Sequence, residues 1–149
     1  MLALNLPQYE YKIRKKEGRL EIYDPIRKKF LLLTPEEWVR QHFLHLLTTH
    51  LLVPAMLIKM ESRHQYNSLA KRCDIEVFSP DLKPLLLVEC KATHVALGDK
   101  SLLQIACYNS NIQVPFLAIT NGIIHDFYCK IDDGYRQIPQ LPVYNEMIR

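Results

Sequence analysis

The chain has 149 residues, of which 48% are hydrophobic and 23% charged, with a formal net charge of +3. This length suits one domain with its own core, and the small charge permits a phosphate-rich partner without requiring one. No apolar run approaches membrane-spanning length, and the four cysteines form no C-x-x-C pair. Disulfides and structural zinc are therefore disfavoured, and a reducing, cytoplasmic location is expected.

Basic side chains are concentrated in the first 33 residues, which predict a hairpin. Residues 9–14 and 19–23 are the expected strands, and they flank a turn at Glu17-Gly18. Lys15 and Lys16 are candidate contacts to the phosphate backbone of DNA. A solvated hairpin face accounts for the same charges equally well.

A helix start follows the hairpin. Thr34 can cap a helix that begins at Pro35, and Glu37 completes a capping box. The helix is expected to end at Pro54. Residues 55–61 then predict a strand, and residues 62–71 a polar loop.

Two apolar runs in the middle of the chain predict a pair of strands. Residues 72–78 and 85–91 are joined by a turn that contains Pro80 and Pro84. The later elements are predicted as a helix from 100 to about 112, a strand at 114–120, a turn at Asn121-Gly122, a return strand at 123–129 and an irregular tail.

These elements predict an α/β fold with a mixed (α+β) sheet, in the core order helix, strand, strand, strand, helix, strand. We expect one domain, with a hairpin extension at 1–33, a core at 34–130 and a tail at 131–149. The strands do not alternate regularly with helices, and the sequence has no glycine-rich phosphate-binding motif. A doubly wound nucleotide-binding fold is therefore disfavoured.

The candidate site lies at the end of the second central strand. Glu89 and Lys91 share one face of that strand, and pairing of the two strands would bring Asp74 beside Glu89. Two adjacent carboxylates repel unless one is protonated or a cation lies between them, and Mg²⁺ binds one or two carboxylates together with water and phosphate oxygens. From spacing alone, an exposed turn position for Asp74 and a simple Glu89–Lys91 salt bridge are the favoured alternative.

Asp74, followed by a strand that ends in Glu89-Cys90-Lys91, resembles the PD-(D/E)XK nuclease signature, with Cys73 in place of its proline. The wider pattern is closest to the N-terminal domain of type I restriction enzyme R subunits, which implies a restriction-endonuclease-like core. The segments that carry this resemblance are Pro35 to Gln41, Arg72 to Ile75, Val88 to Ala92, Gln104 with Tyr108-Asn109, and Thr120 to Gly122.

The resemblance also implies roles for the candidate residues. Asp74 and Glu89 would bind Mg²⁺ or Mn²⁺, with the Cys90 carbonyl as a further ligand. Lys91 would orient or activate the attacking water. The catalytic set implied in this way is Asp74, Glu89, Lys91 and Gln104.

Several further positions keep two interpretations. Glu37 matches an acidic residue that approaches the metal from the first helix, but the capping box explains it equally well. Gln104 matches a glutamine beside the active site, and a polar position on an amphipathic helix is the alternative. Arg40 and Gln41 match the helix pattern of the family and also fit a solvated helix face. Glu61, expected at the end of a strand, is a further candidate ligand.

The resemblance therefore implies a Mg²⁺-dependent endonuclease that hydrolyses DNA. Arg63, Lys71 and Arg72 would join the basic hairpin in holding DNA phosphates without reading sequence. Restriction subunits of this family carry an ATP-driven motor that these residues lack, so a homodimer or a separate motor or specificity subunit is an expected partner. The alternative is a catalytically inactive, nuclease-like module for DNA binding or assembly.

Overall fold

The computed structural model describes residues 1–66, 69–110 and 113–149; the side chains of residues 63–71, 101, 107 and 108 are outside that description. Within the described residues, the chain forms a six-stranded mixed sheet, a separate three-stranded sheet and a few helices. The predicted mixed α/β architecture is therefore confirmed. None of the described helices is long and apolar enough to cross a membrane.

The three-stranded sheet comes first in the chain. It consists of β1 (Ile13–Lys16), β2 (Arg19–Asp24) and β3 (Lys29–Leu32), which pair as antiparallel neighbours in that order. The predicted hairpin is confirmed, but its first strand begins at Ile13 and not at residue 9. Tyr9 and Tyr11 pack on the first helix, where their rings contact His42, His45 and Trp38.

The first helix begins where the sequence predicts. Helix α1 spans Pro35–His45, and the Thr34 hydroxyl accepts a hydrogen bond from the Glu37 amide at 3.0 Å. This is half of a capping box, because the Glu37 carboxylate points instead to two arginines and a glutamine. The chain continues as a π-helical turn, Leu46–His50. A 3-10 turn, Ala55–Leu57, then takes the place of the first three residues of the strand predicted at 55–61.

The six-stranded sheet has the order β4-β5-β6-β7-β8-β9, and of these neighbouring pairs β6 and β7 are parallel while the others are antiparallel. Helix α2 provides the crossover that a parallel pair requires. The core order α1, β4, β5, β6, α2, β7 is the order predicted from the sequence. The elements are β4 (Ile58–Tyr66), β5 (Leu69–Phe78), β6 (Pro84–Cys90), α2 (Asp99–Asn109), β7 (Phe116–Thr120), β8 (His125–Ile131), β9 (Gly134–Ile138) and α3 (Tyr144–Met147).

Two predicted irregular segments are regular. The expected polar loop at 62–71 is wrong, because β4 and β5 extend through most of it as a long hairpin. The tail is also ordered: β9 adds a sixth strand, and Leu141, Tyr144 and Met147 are buried in the core. The predicted end of the second helix at 112 lies outside the described residues.

The central strand β6 is buried on both faces, as its uninterrupted apolar run predicts. Leu86, Val88 and Cys90 belong to the core cluster that includes α1 residues such as Val39 and Phe43. Leu87 belongs to a second cluster, with Ile105 of α2 and Ile119 of β7. The end of β6 therefore emerges between the two helices, and this is where the candidate site lies.

The turn at Gly122 supports the chain beside this site. Gly122 has a φ of 86°, and a Cβ there would lie 2.9 Å from Leu4 and 3.0 Å from Val39. We expect Gly122→Ala to lower the free energy of unfolding by about 2 kcal/mol, from a left-handed backbone and local overpacking. Gly134→Ala is the matched control, because Gly134 also has a positive φ but open space around it. Equal losses in urea denaturation of both variants would contradict the packing part of the expectation.

Candidate active site

Asp74 and Glu89 adjoin at the point where β5 and β6 separate. The last paired residues of this ladder are Ile75 and Val88, so Asp74 and Glu89 are the next residue on each strand. They are only 4% and 5% exposed. Their carboxyl groups are close enough for the charge of Asp74 to act on Glu89 and for a hydrogen bond between them. An exposed turn position for Asp74 is therefore wrong.

Both oxygens of Asp74 have protein donors. Oδ1 accepts a hydrogen bond from Arg40 Nη2 at 2.7 Å, and Oδ2 accepts one from the Cys90 amide at 2.7 Å. Arg40 comes from α1 and Cys90 from β6, so the carboxylate is held between a helix and a strand. Cys90 thus contacts the site through its backbone amide, while its thiol is buried in the core.

Glu89 belongs to a triangle with Lys91 and Gln104. Lys91 Nζ lies 3.1 Å from Glu89 Oε1 and donates to Gln104 Oε1 at 2.9 Å. Gln104 Nε2 completes the triangle by donating to Glu89 Oε1 at 2.6 Å. Gln104 thus lies beside the acidic pair, and the predicted Glu89–Lys91 salt bridge is also present.

Burial and, after it, the neighbouring charge of Asp74 raise the pKa of Glu89 to about 7, while Lys91 partly opposes both effects. A carboxyl group with this pKa is about half protonated near neutral pH. Protonation of Glu89 therefore reduces the repulsion between the two carboxyl groups, although Arg40 and Lys91 each contact one of them. A bound cation would relieve this repulsion.

Glu37 is connected to Asp74 through Arg40. Its carboxylate accepts from Arg40 Nη1 at 2.6 Å and from Gln41 Nε2 at 3.1 Å. All three of these α1 residues are buried, so the interpretation of Arg40 and Gln41 as a solvated helix face is wrong. The Arg40 guanidinium group donates to the carboxylates of Glu37 and Asp74. Glu37 is therefore linked to the acidic pair through Arg40.

The network continues into the three-stranded sheet. Asp24 is fully buried and accepts from the Ile26 and Arg27 amides, the Arg27 side chain and Gln41. Arg27 also lies 3.3 Å from Glu37 and 3.3 Å from Glu61. Glu61 does not end a strand as predicted, since β4 continues to Tyr66. It faces an arginine and is partly exposed.

Negative charge exceeds positive charge across this network. Among the residues that the structure describes, six carboxylates share their ion pairs and contacts with three cationic side chains. The carboxylates are Asp24, Glu36, Glu37, Glu61, Asp74 and Glu89, and the cations are Arg27, Arg40 and Lys91. Four of these carboxylates are buried, namely Asp24, Glu37, Asp74 and Glu89.

The acidic pair fits a hard divalent cation. Mg²⁺ takes one or two protein carboxylates and completes its shell with water and phosphate oxygens, and Asp74 with Glu89 supplies that number. In the described part of the chain, no group of three or more His, Cys, Asp or Glu side chains could hold a metal ion. This donor set does not suit zinc, which is usually bound by three or four protein ligands.

The residues predicted to contact DNA lie on different strands, and only some of them are close in sequence to Asp74. Arg72 is exposed and lies two residues before Asp74 on β5. Lys15 and Lys16 are exposed on β1, in the separate sheet. Arg63 pairs with Arg72 across the β4–β5 hairpin, but the side chains of Arg63 and Lys71 are outside the described residues.

A cleft of about 460 Å³ opens beside Lys91 and Gln104. Its other lining residues are Glu36, Val95, Ala96, Gly98, Asp99 and Lys100. A larger cavity of about 630 Å³ lies between residues 1–11 and the Trp38 side of α1, and its lining contains none of the predicted catalytic residues. Of these two cavities, the smaller one therefore contains two of the predicted catalytic residues, Lys91 and Gln104.

The sequence alone assigns no site role to Arg40, Asp24 or Arg27. The available signal was the spacing of Glu36, Glu37 and Arg40 on a predicted helix, where residues three and four positions apart are neighbours. That spacing predicts ion pairs on the helix. It gives no indication that the guanidinium also reaches a strand 34 residues further along the chain.

These features define a mixed α/β domain with a buried acidic pair and a lysine at the end of a central strand. Residues 35–142 match the family described as the type I restriction enzyme R protein N terminus. The match covers more than half of the chain, and the protein belongs to this family. No curated protein and no solved structure matches the chain significantly.

Proposed function

We propose that this protein is a metal-dependent nuclease that hydrolyses phosphodiester bonds in DNA, with a PD-(D/E)XK active site in a restriction-endonuclease-like core. The observation that carries the proposal is the contact between two buried carboxyl groups, Asp74 and Glu89, next to Lys91. Membership of the restriction enzyme family supports the same conclusion. The core order of helices and strands agrees with the order that the resemblance implies.

Asp74 and Glu89 would hold one or two Mg²⁺ or Mn²⁺ ions, with the Cys90 carbonyl and Glu37 as candidate additional ligands. When bound, the metal lowers the pKa of a water molecule and neutralises charge on the phosphate. Arg40 and the Cys90 amide orient Asp74, because both donate to its carboxylate. Burial of the pair excludes the solvent that would weaken these interactions.

Lys91 would position the attacking water. Its ammonium group is held by Gln104 and Glu89, so its direction is defined before the substrate binds. The Gln104 amide donates to Glu89 and accepts from Lys91, which fixes its own orientation. A hydrogen bond donated by Lys91 to a phosphate oxygen would also stabilise the negative charge of the transition state.

Exposed basic side chains would hold the DNA backbone. Arg72 is the described cation on β5 closest in sequence to Asp74, and Lys15 and Lys16 extend the contact to the three-stranded sheet. Arg63 and Lys71 would join them at the β4–β5 hairpin. Such contacts are sensitive to salt and independent of base sequence, so binding is expected to weaken steeply as salt is raised.

Cleavage by the purified protein tests the proposal. Linear, circular and branched DNA, with RNA beside them, are incubated with Mg²⁺ or Mn²⁺ and with wild type, Asp74→Ala, Asp74→Asn or Lys91→Ala. We expect metal-dependent cleavage of DNA by wild type and a loss of at least about 100-fold in each variant. Asp133→Ala and Lys83→Ala are the matched controls, since both residues are exposed, and they are expected to retain full activity.

Two outcomes would contradict the proposal. Cleavage that is unchanged in the Asp74 and Lys91 variants would show that the activity arises elsewhere. A wild-type protein that neither cleaves nor binds a divalent cation would show that the site is not catalytic.

One observation favours a second function, an inactive nuclease-like module that binds DNA or assembles with a partner. Arg40 and the Cys90 amide already occupy one acceptor position on each Asp74 oxygen, and Lys91 already neutralises Glu89. A site that is satisfied internally has less need of a metal. DNA binding without cleavage, restored to cleavage by a motor or specificity subunit or by a homodimer, would distinguish a missing partner from an inactive module.

A further inference from the structure

We infer that Arg40 is a positioning residue for the proposed reaction: it fixes the Asp74 carboxylate toward Glu89 and limits the affinity of the acidic pair for cations. The inference rests on the proposed function, and it concerns a residue that does not touch the substrate. Its basis is the arrangement of one buried guanidinium group among three carboxylates.

The guanidinium group of Arg40 is held from its own helix. Nη1 lies 2.6 Å from Glu37 Oε1, and Nη2 lies 2.7 Å from Glu36 Oε1. Arg40 and Glu37 are each only 5% exposed, so the bond between them forms away from bulk water, whereas Glu36 is partly exposed. Two fixed bonds to the same helix define where the planar guanidinium points.

The third bond crosses from α1 to β5. Arg40 Nη2 also lies 2.7 Å from Asp74 Oδ1, while the Cys90 amide lies 2.7 Å from Oδ2. Rotation of the Asp74 carboxylate would break both of these bonds. Each carboxylate oxygen accepts two hydrogen bonds or ligands, so an acceptor position remains on each one for a cation shared with Glu89.

Arg40 favours the proposed reaction by orienting Asp74, but its positive charge opposes the binding of a metal cation. A guanidinium group bonded to Asp74 repels any second cation bound to the same carboxylate. Without it, Glu36 and Asp74 would lose the cation that they share, and Glu37 would keep Arg27 as its cationic partner. We therefore expect that removal of Arg40 strengthens metal binding and slows the chemical step.

Lysine cannot replace arginine in this role. Its ammonium is a compact charge on a flexible stem, whereas three carboxylates on two elements require a planar fork. Arg40→Lys thus keeps the charge and loses the orientation, and Arg40→Gln loses both. Arg136 is an exposed arginine on β9, and Arg136→Gln is the matched control.

The test separates turnover from metal dependence. For wild type and the three variants, kcat for DNA cleavage and the Mg²⁺ concentration at half-maximal rate are measured, and Mg²⁺ binding without DNA is measured by calorimetry. We expect kcat to fall about 100-fold in Arg40→Lys and Arg40→Gln, since a small displacement of a catalytic group has effects of this size. Mg²⁺ should bind about threefold more tightly to Arg40→Gln and about equally to Arg40→Lys.

A merely structural role predicts a different pattern. Partial unfolding would lower the active fraction, found by titration of metal sites, and leave kcat per folded molecule and the Mg²⁺ affinity unchanged. Arg40→Ala adds a second test, because guanidinium ion at a concentration below that which unfolds the protein should restore cleavage, whereas methylammonium should not. Values of kcat within threefold of wild type in both Arg40→Lys and Arg40→Gln would overturn the inference.

Failure of the proposed function is distinguishable from failure of this inference. A wild-type protein that binds Mg²⁺ without cleaving contradicts the nuclease alone, and the inference is then decided by calorimetry of Arg40→Gln. Weaker Mg²⁺ binding by that variant, or absence of Mg²⁺ binding by wild type, overturns the inference. Normal cleavage by wild type with unchanged variants overturns the inference alone.

Discussion

Raising the pH from about 5 to about 8 in the absence of divalent cations is expected to lower the free energy of unfolding through Glu89 by about 3 kcal/mol. Burial, and then the charge of Asp74, raise the pKa of Glu89 from 4.5 to about 7 in the folded protein. In the unfolded chain the group regains its ordinary pKa. The stabilising contribution is therefore complete below the unfolded value and is lost as the pH rises through the folded one.

Urea denaturation across this pH range measures the effect, and Glu89→Gln isolates it. Glutamine keeps the size of the side chain but does not ionise, so its stability should not contain this decline. Burial lowers the pKa of His42, which adds a contribution of the opposite sign, but that contribution is present in both proteins. The difference in the pH dependence of the free energy of unfolding between wild type and Glu89→Gln thus measures the contribution of Glu89. Parallel stability curves for the two proteins would contradict the expectation.

Mg²⁺ should reverse the decline at high pH. Ionised Glu89 and Asp74 attract the cation, whereas protonated Glu89 does not, so stabilisation by Mg²⁺ is expected to be larger at about pH 8 than at about pH 5. Asp74→Asn and Glu89→Gln should each remove most of it. This readout does not depend on cleavage, and it distinguishes a metal site from an acidic pair neutralised by protons alone.

The sequence was sufficient to predict the elements with strong local signals. Thr34-Pro35 starts a helix as predicted, because a capping hydroxyl and an N-terminal proline act through the nearest residues. The run that ends at Cys90 predicts a strand buried on both faces, as observed. The polar segment at 62–71 predicts a loop and not the observed strands, because strand formation depends on pairing with a neighbouring strand and less on local residue preference.

The candidate site was predictable only in part, for a related reason. Glu89 and Lys91 lie two residues apart on one strand, so their contact follows from the alternation of side chains. The contact with Asp74 requires correct pairing of two strands, and the turn with Pro80 and Pro84 indicates that pairing. Arg40 reaches Asp74 from a helix on the other side of a loop and a strand. No sequence pattern around either residue indicates a contact between positions 34 residues apart.

The buried charge network gives the three-stranded sheet a structural link to the site. Asp24 ends β2, Arg27 lies in the turn that follows, and both contact α1 through Gln41 and Glu37. Arg40 then connects Glu37 with Asp74. The sheet that carries Lys15 and Lys16 is thus joined to the acidic pair by a continuous series of ion pairs and hydrogen bonds. We expect the stability of this network to depend strongly on the residue whose carboxylate accepts four hydrogen bonds from buried or partly buried donors.

That residue is Asp24, and Asp24→Ala is expected to lower the free energy of unfolding by about 3 to 5 kcal/mol. Asp24 is 0% exposed and accepts hydrogen bonds from two backbone amides, Arg27 Nε at 2.6 Å and Gln41 Nε2 at 2.9 Å. Alanine would leave the Ile26 and Arg27 amides without this acceptor, while the Gln41 and Arg27 side chains would keep Glu37 as a partner. It would also remove one of the carboxylates that neutralise Arg27, which is itself mostly buried.

Urea denaturation of Asp24→Ala, Asp24→Asn and Asp133→Ala measures this loss. Asparagine keeps one acceptor oxygen for the Ile26 and Arg27 amides, so Asp24→Asn should lose less stability than Asp24→Ala. Asp133 is exposed, and its replacement should change stability by no more than about 0.5 kcal/mol. A loss below about 1 kcal/mol in Asp24→Ala would mean that water replaces the carboxylate at this position. The ion pairs between the three-stranded sheet and α1 would then contribute little, because Arg27 would be solvated and Glu37 would retain Arg40 as its main partner.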